Sequence, residues 1–315
     1  MKNRITEILG TEYPLVLGAM RRITLGEMAA AVSNSGGFGQ IGASGVSGDQ
    51  LRKEIKIAGE LTNRPFGINI PIYRRNAFEA LEIAIEMGIK TITTSAGNPA
   101  KITERTKGAG LKVLHKVSTV KMALKSQDAG VDGVIATGYE AGGHVGREGI
   151  STLCLVPQLV EALEIPVVAS GGIGDARGLV AALALGAEGV EVGTLFLATR
   201  ECPTPGFFKQ AIIDARDNAT ILLGKGAMPM RVLRNKKAEA ISDPDKKRED
   251  AKLNAESDSS YDAQSNGEAD NTIMPAGQVA SLIRKIRGVS EIFPNMIKEA
   301  KTLSSRLNSL FKEVD

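Results

Sequence analysis

The run Pro166-Val167-Val168-Ala169-Ser170-Gly171-Gly172-Ile173 decides how this chain folds. Its apolar and β-branched residues predict a short buried strand, and the two glycines predict the tight turn in which that strand ends. A helical pattern, Ala176 to Leu185, follows directly. A buried strand followed by an amphipathic helix is typical of a parallel sheet, whose strands are joined by right-handed crossovers.

The same strand-then-helix order recurs as far as Thr199. Helical patterns such as Ala77 to Met87, Val120 to Ala129 and Leu153 to Leu163 separate further apolar runs with strand character. Those runs are Pro14–Leu17, Gly39–Gly42, Phe66–Ile70, Thr91–Ser95, Lys112–Val117, Gly133–Ala136 and Gly189–Gly193. With the first run they make eight units, which predict an α/β fold, a closed TIM (β/α)8 barrel. An open, doubly wound sheet is the alternative.

The junctions between helix and strand share one feature. Gly88, Gly110, Gly130 and Gly186 each follow a helical pattern and precede a strand-like run. We expect each of them to take the left-handed backbone conformation that ends a helix and lets the chain reverse.

The pattern changes after the eighth run. We predict a barrel over residues 1–200, a lid or insertion over 201–272, and a C-terminal helical segment over 273–315 that completes the barrel. Residues 242–271 are too polar to bury a core, which favours a mobile or solvated lid. Helical periodicity returns from Ala276 to Phe311.

Composition excludes several classes of protein. The 315 residues are 43% hydrophobic and 24% charged, with a formal net charge of +3. Basic residues form no sustained face and aromatic residues make up 4%, which argues against a nucleic-acid partner. The chain shows no signal core and no stretch long enough to span a bilayer, so we expect a cytoplasmic protein that binds no membrane. Cys154 and Cys202 lack metal-ligand spacing, and we predict no metal site.

One of the two histidines lies in a glycine-rich segment, Glu140-Ala141-Gly142-Gly143-His144-Val145-Gly146. Glycines such as Gly143 let the backbone approach a flat or phosphate-bearing ligand where a Cβ would clash. Imidazole titrates near neutral pH, so His144 is the candidate group for giving or taking a proton. The alternative is a tight turn in which this histidine caps a helix or faces solvent.

The last two strand-like runs end in a pattern suited to phosphate. In a TIM barrel, ligands bind at the carboxyl ends of the strands, and phosphate binds after the last two. Those runs end at Gly171-Gly172 and at Gly193-Thr194. We predict that their backbone N–H groups and the Thr194 hydroxyl bind one phosphate group. The alternative is that these glycines only form tight turns.

Other strand ends carry groups that a core does not need. Asn69 follows Ile68 in the third run, and the fifth run contains His115 beside Lys116. Because a strand alternates its faces, only one of His115 and Lys116 needs to point inward. An inward Lys116 favours an anionic or electron-accepting ring. The first run continues into Gly18-Ala19-Met20, where glycine permits backbone contact with a ring edge and Met20 offers a soft apolar surface.

Several separated motifs carry a resemblance to a known family. They are Arg4-Ile5-Thr6-Glu7, Tyr13-Pro14, Arg64-Pro65-Phe66-Gly67-Ile68-Asn69, Ala96-Gly97-Asn98-Pro99, Glu140–His144, Ala169–Ile173, Val192-Gly193-Thr194 and Ile273–Gln278. With them the chain resembles the nitronate monooxygenase family, formerly called 2-nitropropane dioxygenases. At this level the family is inseparable from enoyl-acyl-carrier-protein reductase II and NADH:quinone reductases. The resemblance covers most of residues 1–234 and resumes at 273–278.

The resemblance implies an FMN-dependent oxidoreductase. His144 matches the family's active-site histidine. The positions that match its FMN contacts are Gly18, Ala19, Met20, Asn69, Lys116, Gly171, Gly172, Gly193, Thr194 and Gln278. The chain departs from the family at Leu17, where glutamine is frequent, and in a lid that is shorter and more polar.

The activity divides three ways. Our main interpretation is oxidation of alkyl nitronates through flavin. The alternatives are NAD(P)H-dependent reduction of enoyl thioesters or quinones, and a phosphate-ligand barrel enzyme without flavin. Ala141–Gly146 resembles reductase II, whereas His115-Lys116-Val117 resembles the quinone reductases. The chain shows no Gly-x-Gly-x-x-Gly fingerprint on a turn from a strand into a helix, so NADH or NADPH would bind transiently over the flavin. Acyl carrier protein would be the partner of an enoyl reductase, and the sequence is compatible with a homodimer.

Overall fold

The computed structural model describes residues 1–224, 229–242 and 269–312, and its main body is the predicted barrel. Eight parallel strands form one sheet in the order β1-β9-β8-β6-β5-β4-β3-β2. They are β1 (Leu15–Leu17), β2 (Gly39–Gly42), β3 (Phe66–Pro71), β4 (Thr91–Ser95), β5 (Lys112–Val117), β6 (Gly133–Thr137), β8 (Val167–Ser170) and β9 (Gly189–Val192). The sheet closes where Leu17 N–H donates to Phe38 O at 2.9 Å and Phe38 N–H donates to Leu15 O at 2.8 Å.

Helices follow the strands as the sequence pattern predicts. They are α1 (Arg4–Leu9), α2 (Gly26–Asn34), α3 (Gly48–Leu61), α4 (Ala77–Glu86), α5 (Ala100–Gly108), α6 (Val120–Asp128), α7 (Thr152–Ala162), α8 (Ala176–Ala184), α9 (Thr194–Leu197), α10 (Gly206–Ile213), α11 (Lys236–Ser242) and α12 (Val289–Lys312). The predicted left-handed stops are confirmed, since Gly88, Gly110, Gly130 and Gly186 have φ of 74°, 71°, 84° and 93°.

The buried apolar residues of the strands fall into two clusters, one on each side of the sheet. The outward residues, such as Ile68, Val134 and Val190, pack under the surrounding helices in the larger core. The inward residues at the lower end of the barrel form a second cluster, together with Ile5 and Leu9 of α1, which close that end. Its strand-side members are Val16, Phe38, Leu114, Ile135 and Val168. The lower half of the barrel is therefore solid, and only the opposite end is left for a ligand.

A small antiparallel sheet lies beside that opposite end. It consists of β10 (Thr220–Leu223), β11 (Met230–Leu233) and β7 (Gly143–His144), in the order β10-β11-β7. The segment that carries His144 is thereby paired with a strand from the predicted insertion, with His144 opposite Met230. The polar stretch predicted as a mobile lid lies, apart from residues 242 and 269–271, outside the described residues.

The C-terminal segment returns to the barrel. Gln278–Leu282 is a 3-10 turn rather than the start of a long helix, and the final helix α12 begins at Val289. This helix packs against α8 and α2, and its Phe293 ring stacks on Tyr13 and Phe196 with centroids 6.5 and 5.8 Å away. Among the described helices, none is both long enough and apolar enough to cross a membrane.

Substitution of two glycines by alanine tests how tightly the helices pack against the barrel. A Cβ at Gly39 would lie 1.8 Å from the Ala29 carbonyl oxygen of α2, whereas a Cβ at Gly59 of α3 has no described neighbour within 4 Å. Gly39→Ala should destabilise the protein by about 3 kcal/mol or prevent folding, because α2 would have to move. Gly59→Ala should stabilise it by roughly 0.5–1 kcal/mol. Urea unfolding of both variants checks this pair, and equal effects would contradict the packing described.

Candidate active site

A cavity of about 640 Å³ opens at the carboxyl ends of the barrel strands. This is the end at which TIM barrels bind their ligands, and the volume is that of a small-molecule or cofactor site. Nearly all of the predicted site residues line it: Gly18, Ala19, Met20, Asn69, Lys116, Gly143, His144, Gly171, Gly172, Gly193 and Thr194. Gln278 differs, because its side chain is exposed while its neighbours Gly277 and Val279 line the cavity.

The fifth strand places its two basic residues on opposite faces. Lys116 shares the inner face with Leu114 and lines the cavity. His115 faces the helices, is 1% exposed, and its Nδ1 lies 2.7 Å from the Thr94 hydroxyl oxygen. Burial lowers the pKa of His115 from 6.5 to about 4, against a backbone hydrogen bond with Gly97 that raises it. His115 is therefore a neutral structural histidine.

The glycines of β8 and β9 form a cradle in the cavity wall. Gly171 and Gly172 have φ of 109° and 73°, a conformation that side chains rarely adopt. A Cβ on Gly193 would meet no described heavy atom within 4 Å, so this glycine leaves room in the cavity. The Thr194 hydroxyl oxygen accepts a hydrogen bond of 2.9 Å from Gly277 N–H, which directs the hydroxyl proton to another acceptor. The arrangement suits a phosphate group, which accepts hydrogen bonds only.

His144 lies exposed at the rim, on the two-residue strand β7. Its position is set by the ladder to β11 and by the next residue, Val145, whose N–H donates to Pro229 O at 3.0 Å. Gly142, two residues before His144, is also constrained, because a Cβ on it would lie 2.5 Å from Gly277 N. The backbone of His144 is thus fixed at the rim of the cavity by contacts to the insertion.

Arg231 of β11 stabilises the loop that leads to His144, through contacts with Tyr139. It is 4% exposed, donates from Nε and Nη2 to Tyr139 O at 3.1 and 2.9 Å, and lies over the Tyr139 ring at 4.9 Å. Burial lowers the pKa of the Arg231 guanidinium from its ordinary value. Sequence reasoning missed this residue, and the only available signal was a lone arginine between Met230 and Val232 in an apolar run.

The floor of the cavity is polar. Inward side chains of four strands line it, namely Asn69, Lys116, Ser170 and Glu191. The inward side chains of Gln40 and Thr93 are fully buried and lie outside the cavity lining. Each of the six contacts at least one other through a hydrogen bond or an ion pair. Of these, sequence reasoning identified only Asn69 and Lys116 as site residues. Glu191 had a visible signal, a carboxylate in the middle of the run Gly189–Gly193.

The rim of the cavity carries more positive than negative groups. Arg21, Arg74 and Arg147 line it together with Glu140 and Glu148. The Arg74 guanidinium lies 4.9 Å from the centre of the Tyr73 ring, and its buried Nε has no hydrogen-bond partner among the described residues. This rim favours ligands with a negative charge.

The residues present fit a flat cofactor that ends in a phosphate. Gly18, Ala19 and Met20 offer backbone and thioether on one side of the cavity, and the glycine cradle offers a phosphate site on the adjacent strands. The buried Thr137 hydroxyl, which also lines the cavity, has no hydrogen-bond partner among the described residues. Fold and site therefore define a barrel enzyme built around a phosphate-bearing ring cofactor.

Comparison with known proteins agrees with that class. The family model for nitronate monooxygenase matches residues 2–299. A probable nitronate monooxygenase of Staphylococcus saprophyticus is 31% identical, over 97% of this chain and 99% of the relative. FabK from Thermotoga maritima has a TM-score of 0.94 at 35% identity, covering 98% of this chain and 99% of that one. Nitroalkane oxidase from Streptomyces ansochromogenes has a TM-score of 0.82 at 28% identity, covering 96% and 99%.

The chain belongs to the nitronate monooxygenase family. It is a flavin-dependent oxidoreductase, as the motifs implied.

His115 makes the stability of the protein depend on pH. Its folded pKa of about 4 lies below the 6.5 of an exposed imidazole, so the unfolded chain takes up the proton first as the pH falls. The contribution of neutral His115 to the free energy of unfolding is complete above pH 6.5 and is lost progressively as the pH falls towards 4. His115→Gln can still bond Thr94 and does not titrate. Between pH 7 and pH 4.5, the free energy of unfolding in urea should therefore fall by roughly 2 kcal/mol less in the His115→Gln variant than in the wild type. Parallel losses would contradict the assignment.

Substitution of Gly193 tests the predicted flavin contact apart from folding. Its φ of −112° is open to alanine, and the added methyl group meets no described protein atom within 4 Å. Gly193→Ala should therefore keep the thermal midpoint of the apoprotein. Its flavin affinity should fall about tenfold or more, because the methyl group occupies ligand space. Fluorescence titration with flavin measures the affinity, and wild-type binding would show that the cofactor lies elsewhere.

Proposed function

We propose that this chain is an FMN-dependent oxidoreductase that oxidises alkyl nitronates. The observation that carries the proposal is the position of His144, held at the rim of the cavity by β11 in a barrel of the nitronate monooxygenase family. Similarity to a nitroalkane oxidase and to a probable nitronate monooxygenase supports the substrate class.

FMN rather than a dinucleotide flavin suits the cradle. The glycines that follow β8 and β9 would hold a single phosphate group, because they lie on adjacent strands of the barrel. Gly143 supports the same cofactor, because a Cβ there would meet no described heavy atom within 4 Å and its φ is 71°. When bound, the flavin supplies the redox chemistry.

The residues around the cavity suit a small organic anion. A nitronate carries negative charge on its nitro oxygens, and Lys116, Arg74 and His144 line the space in which it would lie. His144 orients the nitro oxygens of a nitronate, or removes the carbon-bound proton of a neutral nitroalkane. Met20 and Val145, which also line the cavity, cover the alkyl part and exclude water.

A second candidate function is reduction of an enoyl thioester by NADH or NADPH. It is favoured by the similarity to FabK, an enoyl-ACP reductase II, and by the three rim arginines, which suit the phosphates of a nicotinamide cofactor or of an acyl carrier. In that reaction His144 donates the proton. In reduction of a quinone, which the sequence also leaves open, His144 is peripheral.

An anaerobic spectrum tests the proposed function. The purified protein, loaded with FMN, is titrated separately with NADH, NADPH and an alkyl nitronate. Bleaching of the flavin band by the nitronate alone is the expected result. Bleaching by a nicotinamide would favour the reductase instead, and failure to bind any flavin would refute both functions.

Replacement of each histidine then tests the role of the imidazole. His144→Ala should bind FMN normally and lose about a hundredfold or more in turnover of a neutral nitroalkane, because proton removal is slowed. His115→Gln changes the chain's other histidine, which lies outside the cavity, and should turn over at the wild-type rate. Unchanged turnover in His144→Ala would exclude it as the proton-transfer group.

A further inference from the structure

Glu191 is a carboxylate buried in the wall of the active-site cavity. It lies on the inner face of β9, and its side chain is 2% exposed. A charge removed from water is costly unless other groups compensate it, so a carboxylate at this depth calls for an explanation. The flavin contacts implied by the motifs do not include it.

Three donors from three different strands converge on this carboxylate. Lys116 Nζ lies 2.6 Å from Oε2, the Ser170 hydroxyl donates to Oε2 at 2.9 Å, and Gln40 Nε2 lies 3.5 Å from Oε1. A carboxylate accepts from all three, whereas an amide of the same shape would place its own N–H groups against a donor. The surroundings therefore select glutamate rather than glutamine.

Gln40 connects this centre to the other ring contacts. Its Oε1 accepts from the Thr93 hydroxyl at 2.5 Å, and the Thr93 oxygen accepts from Asn69 Nδ2 at 2.8 Å. Its Nε2 also donates to the Leu17 carbonyl at 2.5 Å, directly before the Gly18-Ala19-Met20 segment. This chain of hydrogen bonds thus ends at Asn69, which lines the cavity.

We propose that Glu191 is a positioning residue, which fixes Lys116 towards the flavin ring and neutralises its charge there. The ring then meets an ion pair with a defined direction rather than a mobile lysine. The proposal rests on the proposed FMN function, because it concerns how this cavity holds that ring. Lys116 is 23% exposed in its side chain, so its contact with the cavity does not depend on a rearrangement.

The first test is the affinity for FMN, measured by fluorescence titration of the apoprotein. Glu191→Gln should raise the Kd about tenfold, because Lys116 loses the partner that orients it. In a Lys116→Met background the same substitution should change the Kd less than twofold, because the group that Glu191 positions is gone. Equal, additive losses in the two backgrounds would overturn the positioning role.

The second test is the midpoint potential of the bound flavin, which a merely structural residue would not move. Removal of the carboxylate leaves the Lys116 charge uncompensated, which favours the reduced, more negative ring. Glu191→Gln should therefore raise the potential, and Lys116→Met should lower it. Glu191→Asp, which restores the charge, should return the potential towards the wild-type value and serves also if Glu191→Gln fails to fold.

A matched control is available directly before the same strand. Glu188 precedes β9 at the closed end of the barrel and pairs with Arg4 through a hydrogen bond of 2.7 Å. Glu188→Gln makes the same chemical change away from the cavity and should leave both Kd and potential unchanged. A shift as large as that of Glu191→Gln would overturn the proposal. If the wild-type protein itself failed to bind FMN, the proposed function would fall first, and the role of Glu191 with it.

Discussion

Closure of the barrel forces alternate residues of every strand into its interior, and the rest of the structure depends on this alternation. Because successive side chains point to opposite faces, a strand cannot choose its inward residues singly. On β5 the choice that buries Leu114 in the lower barrel also turns Lys116 into the cavity and His115 out towards the helices. By the same alternation, the inward residues nearer the carboxyl ends of the strands form a polar layer above the apolar cluster. The closed lower end of the barrel and the polar floor of the cavity therefore both consist of inward-facing residues.

This alternation explains what could be predicted. The eight strands, the helices between them and the glycine stops are local features, readable as runs, periods and single residues. The cavity glycines were also predictable, because the carboxyl ends of parallel strands meet at one end of the barrel. Whether Lys116 points inward depends only on which alternate residues of β5 face the barrel interior. In the structure Leu114 faces inward, and Lys116, two residues later, therefore does so as well. Glu191 also faces inward by this alternation. The role of its carboxylate depends on donors from three other strands, and no local sequence pattern identifies those donors.

The lid was harder for a physical reason. The pairing of β7 with β11 joins segments far apart in the chain, and a two-residue strand has no period of its own to recognise. Arg231 is the clearest case, because its function is a contact with the backbone of Tyr139, and a backbone carbonyl leaves no trace in the sequence. The 3-10 turn at Gln278 is similar. Its N–H donates to Glu140 O, and this contact interrupts the helical periodicity that begins at Ala276.

The two halves of the active site therefore come from parts of the fold with different constraints. Apart from Gly143 and Gln278, the groups assigned to the cofactor lie on barrel strands or directly after them, where closure and burial limit what can change. His144 and Arg231 belong to the small sheet beside the barrel, in which β7 pairs with β11 over only two residues. A family that keeps the first half can keep flavin, while changes in the second half alter what reaches the ring.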